Sequence, residues 1–412
     1  MTPRYPVIVA GGGQAGLAIS HCLKRRDIDH LVLEKHRLAH EWRERRWDTF
    51  CLVTPNWQCR LPGFPYPGPE PHGFMVKDEI IRYLEDYARS FDPPLREGVE
   101  VTALRGDGAG GFQLTTSLGL IDADAVVIAT GGYHAPAIPR LAERLPPRIA
   151  QLHSCQYRNP QALPAGPVLV VGTGQSGCQI AEDLHLAGRR VHLSVGSAPR
   201  TARRYRGKDV VEWLEEMGHY TVPVENHPLK QRVRDKANHY VTGRDGGRDI
   251  DLRQRAREGM ALHGRLREVR EDRVLFADDL RQNLDQADAV AESIKSSIDK
   301  YIAAHQLAAP EEPRYRPVWE PDAPAAELPL AEIAAVVWCT GFRPDYRWVE
   351  LPLFDGAGHP FHQRGVSPVD GVYFLGLPWQ HTWGSGRLAG VAVDAAYLAD
   401  QIAGRSAAKM CA

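Results

Sequence analysis

Two short stretches decide the fold: GGGQAG at positions 11–16 and GTGQSG at positions 172–177. Each follows an apolar run, PVIVA (6–10) in one case and PVLVV (167–171) in the other. Each leads into a segment with helical spacing of apolar residues, LAISHCLKRR (17–26) and CQIAEDLHLAG (178–188). A second apolar strand closes each unit, HLVLE (30–34) and RVHLSV (190–195). Strand, glycine turn, helix and strand within about thirty residues form the dinucleotide-binding unit. The first glycine permits the tight turn, the second lets backbone N–H groups approach a pyrophosphate, and the third lets helix and strand pack closely. The sequence therefore predicts an α/β protein with two Rossmann-like dinucleotide-binding domains.

The two units differ where a ribose would lie. Glu34 stands twenty-three residues after Gly11, where a carboxylate can accept both hydroxyls of an adenosine ribose. The matching position of the second unit is Val195, between Ser194 and Gly196, with Arg200, Arg203 and Arg204 downstream. Lack of an acid and a supply of arginines suit a 2′-phosphate, so FAD is expected in the first turn and NADPH in the second. Candidate cofactor residues are Gly11, Gly13, Gln14, Ala15, Gly16, Glu34 and Lys35, and then Gly172, Gly174, Gln175, Ser176, Gly177, Ser194, Arg200 and Arg204. For the arginines, solvated surface charge is the competing reading.

A second echo accompanies the first. AVVIATGGY (125–133) and AVVWCTGFRP (335–344) are both apolar strands ending in Thr-Gly, which adds Thr130, Gly131, Thr340 and Gly341 to the cofactor candidates. The later strand is expected to return to the first domain. The NADPH domain would then be an insertion, with an FAD part over 1–160, an NADPH part with a substrate-side insert over 161–330, and an FAD part over 331–412. The proline-rich stretch 55–73 reads as an ordered loop. Residues 281–305 read as a helix packing Leu284, Ala287, Ala291, Ile294, Ile298 and Ile302 on one face.

Composition narrows the function. Lys and Arg number 50 against 51 Asp and Glu, giving a net charge of −1 and no electrostatic footprint for nucleic acid or membrane. No apolar run nears the ~20 residues that span a bilayer. The seven cysteines are scattered without C-x-x-C or zinc spacing, and the seventeen histidines show no H-E-x-x-H. A cytoplasmic protein without metal is expected, acting on a small molecule, with a homodimer as the default assembly.

The segment HSCQYR (153–158) carries His, Tyr and Arg at H-x-x-x-Y-R spacing. It resembles the fingerprint of class B flavin-dependent monooxygenases, which include the flavin-containing and YUCCA-type enzymes. Pro147 and Ile149 stand where that pattern has Phe and Gly. Trp42 in EWRERRWD, the loop NWQCRLPGFPYP (56–67), Cys339 to Phe342, and RLAGVAVDAA (387–396) are similar to further family features in the same order. The chain also resembles a bacterial group of flavin-dependent oxidoreductases encoded beside a nitrilase, which implies a biosynthetic role. The resemblance implies that NADPH reduces FAD, that oxygen then forms a C4a-(hydro)peroxyflavin, and that one oxygen atom enters the substrate, by N-hydroxylation or Baeyer–Villiger attack. It implies catalytic roles for Asn56, His153 and Tyr157, and cofactor contacts for Trp42, Arg158 and Leu388. Trp57, Trp379, His381 and Trp383 would face the substrate, with aromatic packing as the alternative. Two rival readings stay open: an NADPH-dependent flavin dehydrogenase or oxidase without oxygen insertion, and a flavin-binding sensor without turnover.

Overall fold

The computed structural model describes residues 2–322 and 324–411. Along the chain, β1 (Arg4–Ala10) leads through the first glycine turn into α1 (Gln14–Lys24) and β2 (His30–Leu33). The proline-rich loop and α2 (Lys77–Phe91) follow, then β3 (Leu95–Arg96), β4 (Val101–Gly106), β5 (Phe112–Thr116) and β6 (Gly119–Ile128). The second half contains β7 (Ala150–His153), β8 (Val168–Val171), α3 (Gln175–Leu186), β9 (Val191–Ser194), β10 (Ala261–His263) and α4 (Leu280–Ala304). The chain finishes with β11 (Ala335–Trp338), β12 (Val372–Phe374) and α5 (Val391–Cys411).

Two separate sheets result. The first runs β3-β2-β1-β6, with the far edge of β6 shared between β5, which is antiparallel, and β12, which is parallel. The second is wholly parallel, in the order β7-β11-β8-β9-β10. Val168–Val171 and Ala335–Trp338 are buried throughout, as expected of central strands covered on both faces. Helix α4 covers the residues expected of it, with Leu284, Ala287, Ala291, Ile298 and Ile302 buried and Ile294 partly so.

One sequence expectation fails here. The later Thr-Gly strand does not rejoin the first domain; it lies in the middle of the second sheet, hydrogen-bonded to β7 on one side and β8 on the other. The second sheet therefore starts at Ala150 and takes in Trp338, so divisions at 160/161 and 330/331 would cut it. What returns to the first sheet is β12, with α5 packed against α1. The reason is the pairing rule of each glycine turn. Each Thr-Gly strand runs beside the strand that feeds its own turn, with Ala10 level with Ile128 and Val171 level with Trp338. The echo is thus a repeat of the same unit in each domain.

Candidate functional site

The two turns are near copies in space. Gly11 has φ +108° and Gly172 φ +102°, and a Cβ on either would meet the carbonyl oxygen of Ala129 at 2.6 Å or of Cys339 at 2.7 Å. A Cβ on Gly16 would lie 1.8 Å from the Gly11 oxygen, and one on Gly177 1.9 Å from the Gly172 oxygen. Gly13 and Gly174 are different: a Cβ there would meet nothing within 4 Å. These two face open ground at the helix N-termini, neither capped by a side chain, so unpaired N–H groups look outward where a pyrophosphate would come. Both turns fit a dinucleotide on this geometry.

The ribose ends diverge. The Glu34 carboxylate accepts the Gly12 N–H at 2.7 Å and the His36 N–H at 2.9 Å, which fixes it at the tip of β2 with lone pairs to spare. In the second domain the corresponding link runs the other way: the Gly196 N–H donates to Thr173 Oγ1 at 2.9 Å. A turn hydroxyl stands where the first domain has a strand-end carboxylate.

Several expected cofactor residues are engaged elsewhere. Ser194 is buried and joins β9 to the segment after β10, donating to the Gly264 carbonyl and accepting from the Leu266 N–H. Arg200 is 4% exposed, pairs with Asp288 at 2.5 Å and lies 4.2 Å over the Tyr315 ring. Its Nη2 is buried without a hydrogen-bond partner among the described residues. Arg204 is exposed on a short hairpin and its side chain donates to the Gly246 carbonyl at 3.4 Å. Lys35 pairs with Glu100 on the surface. Thr130 is exposed and bonds His134, the Gly131 carbonyl accepts the Tyr346 hydroxyl, and Thr340 donates to the Ala137 carbonyl. Ala15 is buried, Ser176 half-buried and Leu388 buried in the first core. Trp42 packs on Phe50 beneath the Arg46 guanidinium.

The H-x-x-x-Y-R segment is a junction. His153 is fully buried at the end of β7, and its Nε2 donates to the Gly341 carbonyl at 2.9 Å. Burial lowers its pKa, so the ring is neutral, with Nδ1 turned to Cys155. Tyr157 is also fully buried, and its hydroxyl donates to Asp183 Oδ2 at 2.7 Å. Asp183 Oδ1 accepts from Thr49 at 2.6 Å and Arg244 at 3.0 Å, so one carboxylate ties three distant segments together. Tyr157 is therefore a packing and anchoring residue, against the catalytic expectation. Arg158 donates to the carbonyls of Glu44, Cys155 and Tyr157, which makes it a clasp between chain segments and leaves a cofactor contact unsupported.

Asn56 is engaged with the protein as well. Its Nδ2 donates to the Glu70 carbonyl at 2.9 Å and its Oδ1 accepts the Met75 N–H at 2.8 Å. The 3% exposed amide closes the proline-rich loop. Its neighbour Trp57 keeps a buried Nε1–H without a partner.

The tryptophan loop 378–387 packs against a lid formed by residues 219–241. Val224, Val233 and Trp379 form one apolar cluster, joined by Leu229 and Trp383. The Val224 N–H donates to the His381 carbonyl at 2.6 Å, Arg234 donates to the Trp379 carbonyl, and Tyr220 packs on Trp383 at 4.3 Å. Trp379, His381 and Trp383 are thus brought together, with Trp379 itself at φ +52°. The glutamine that opens each helix grips this assembly: Gln14 donates to the Gly386 carbonyl at 3.0 Å, and Gln175 to the Val241 carbonyl. Sequence reading missed Asp183, Asn238 and Arg387; a glutamine at the same place in both turns was the one visible hint of the shared grip. Among the described residues no helix is long and apolar enough to cross a membrane, and no group of three metal-ligating side chains converges.

Residues 8–255 match the model of the pyridine nucleotide-disulphide oxidoreductase family. The chain is 34% identical over 400 residues to the uncharacterized oxidoreductase CzcO-like of Geobacillus kaustophilus, covering 96% of this chain and 97% of that one. It is 36% identical over 203 residues to the indole-3-pyruvate monooxygenase YUCCA6 of Arabidopsis thaliana, 47% of this chain and 48% of that protein. In fold it is similar to the flavin-containing monooxygenase of Stenotrophomonas maltophilia, with a TM-score of 0.68 at 20% identity, over 98% of this chain and 100% of that one. The chain belongs to the pyridine nucleotide-disulphide oxidoreductase family, and within it is a flavin monooxygenase-like oxidoreductase that uses FAD and NADPH.

Proposed function

We propose that the protein is an NADPH-consuming monooxygenase that inserts one oxygen atom into a small molecule, by N-hydroxylation or Baeyer–Villiger attack. FAD and NADPH, when bound, supply the electrons and the oxygen chemistry. The chain's own contribution is binding, alignment and the exclusion of water. Glu34 would hold the FAD ribose, and the N–H groups beside Gly13 and Gly174 the two pyrophosphates. Neutral His153, donating to the Gly341 carbonyl, would keep the Thr340-Gly341 turn fixed between the domains.

One observation carries this reading: the lid and the tryptophan loop are tied to each other and, through Gln14 and Gln175, to both nucleotide turns. Such a cover would shield bound cofactors from solvent, which an oxygen-transferring flavoprotein needs and a plain electron carrier does not. The test is turnover of the FAD-loaded protein with NADPH, labelled oxygen and a panel of amines, ketones and 2-oxo acids. Label in one product supports the proposal. Oxygen returned wholly as hydrogen peroxide across the panel would favour a dehydrogenase or oxidase. That rival has its own support, because Asn56 and Tyr157 are both committed to protein partners. Failure of NADPH to bleach the flavin would leave only a sensor.

A further inference from the structure

Arg387 stands where the tryptophan loop meets the lid. It donates through Nη1 to the Trp383 carbonyl and through Nη2 to Asn238 Oδ1, the latter at 2.7 Å. The guanidinium lies over the Trp383 ring, 3.8 Å from its centroid, and Tyr220 packs on the same indole. Both hydrogen-bond acceptors are uncharged, and they occupy two of the five N–H groups an arginine carries.

Among the described residues no carboxylate pairs with this cation. Nearby acids are already matched, Asp209 to Arg203 at 2.9 Å and Glu215 to Arg60 at 2.6 Å. Burial lowers the Arg387 pKa, and the only groups that oppose this are the phenols of Tyr133 and Tyr220. Neither phenol hydroxyl has a hydrogen-bonding partner among the described residues. The guanidinium is partly exposed beside the exposed Asn238 and has no ion pair among the described residues, so an arriving anion gains charge-assisted hydrogen bonds there. With one face stacked on an indole, the guanidinium edge is what a ligand can meet, and its fork suits a carboxylate. Tyr220 and Trp383 form one aromatic pair and His227 and Trp379 another, and the two tryptophans share one apolar cluster at the lid.

We infer that Arg387 is a specificity residue that receives the carboxylate of a planar, aromatic small-molecule substrate between the lid and the tryptophan loop. The identification of this ligand as the substrate rests on the proposed function; the anion site itself does not. The experiment is calorimetric titration of the full-length, FAD-loaded protein with phenylacetate and with uncharged phenylacetamide. Phenylacetate is expected to bind at least about tenfold tighter. Arg387→Gln should erase the difference, with flavin content and melting temperature reporting its fold. Asn238→Asp, which leaves Arg387 in place but supplies an internal counter-charge, should weaken phenylacetate selectively. Equal affinities in the unmodified protein would overturn the inference. So would a preference for the anion that survives Arg387→Gln, or a rise in NADPH KM as that variant's only defect. If the anion preference stands while no labelled oxygen enters any product, the monooxygenase reading fails and the site remains.

Discussion

Gln14 and Gln175 occupy the same place in their two turns, and each reaches out of it to hold a loop carbonyl, Gly386 for the first and Val241 for the second. The loops they hold touch one another through Arg387 and Asn238. The two nucleotide turns are therefore connected by a chain of side-chain contacts as well as by the backbone. Replacing either glutamine by alanine should raise the NADPH KM and increase peroxide release together, because the cover loosens at one end. A two- to tenfold change in the fraction of NADPH electrons lost to peroxide is the expected size, about 0.5–1.5 kcal/mol for one hydrogen bond. Measuring peroxide against NADPH consumed checks it, and an unchanged ratio would refute the coupling.

The glycines separate binding from folding. Gly13→Ala and Gly174→Ala add a methyl where nothing lies within 4 Å, so both variants should fold. The first should lose FAD, and the second should keep FAD while NADPH reduction slows by about tenfold or more, the methyl lying where the pyrophosphate backbone contact belongs. Gly16→Ala and Gly177→Ala drive a methyl to within 2 Å of a backbone oxygen and should not yield stable protein. Soluble yield, flavin content and stopped-flow reduction read the contrast.

Glu34 offers a test of which turn takes which nucleotide. Glu34→Ala removes the acceptor of the Gly12 and His36 N–H groups and the ribose partner together. FAD affinity should fall by about ten- to a hundredfold, as loss of charge-assisted hydrogen bonds predicts. NADPH KM in flavin-saturated protein should stay within twofold or so, on the same argument applied to a site it does not touch. The reverse pattern would exchange the two assignments.

Tyr157→Phe distinguishes an anchor from a catalyst. The hydroxyl donates to Asp183, which keeps Thr49 and Arg244, so stability should drop by about 1 kcal/mol and flavin reduction should change by less than about threefold. A general acid or base would lose about a hundredfold or more. Asp183→Ala strands three donors at once and should cost on the order of 3 kcal/mol in chemical denaturation.

The buried pair His192 and His263 sets an acid limit. His263 Nδ1 donates to the Ala325 carbonyl, so its Nε2 accepts from His192 Nδ1 at 3.0 Å, leaving His192 Nε2 buried without a partner. Burial, helped by the neighbouring ring, pushes the His192 pKa down to about 4. Since the unfolded chain takes up this proton near pH 6.5, stability is full above that value and is lost as pH falls from about 6.5 toward about 4. The loss assigned to His192 is on the order of 3 kcal/mol. Denaturant midpoints measured at about pH 7 and about pH 5 should differ, and less so in His192→Leu. Identical slopes in the two proteins would show that other groups carry the effect.

Much of the architecture was legible in the sequence because it is written in adjacent residues. A glycine turn needs particular residues at fixed spacing, and buried parallel strands appear as short apolar runs, so both dinucleotide units and the difference between their strand ends at Glu34 and Val195 could be read locally. The Thr-Gly echo was legible too, but not its sheet: which strand Ala335–Trp338 pairs with depends on a chain reversal that local sequence does not encode. The fate of side chains was further from reach. Arg200 is taken by Asp288, Tyr157 by Asp183 and Asn56 by Glu70 and Met75, partners 14 to 88 residues away. Likewise Arg387 reads as one more helix-flanking cation until the fold sets it beside Asn238, 149 residues earlier, with no ion pair among the described residues. Residue type and spacing determined what the backbone could bind; only tertiary structure decided which polar groups were already satisfied by the protein and which were left for a ligand.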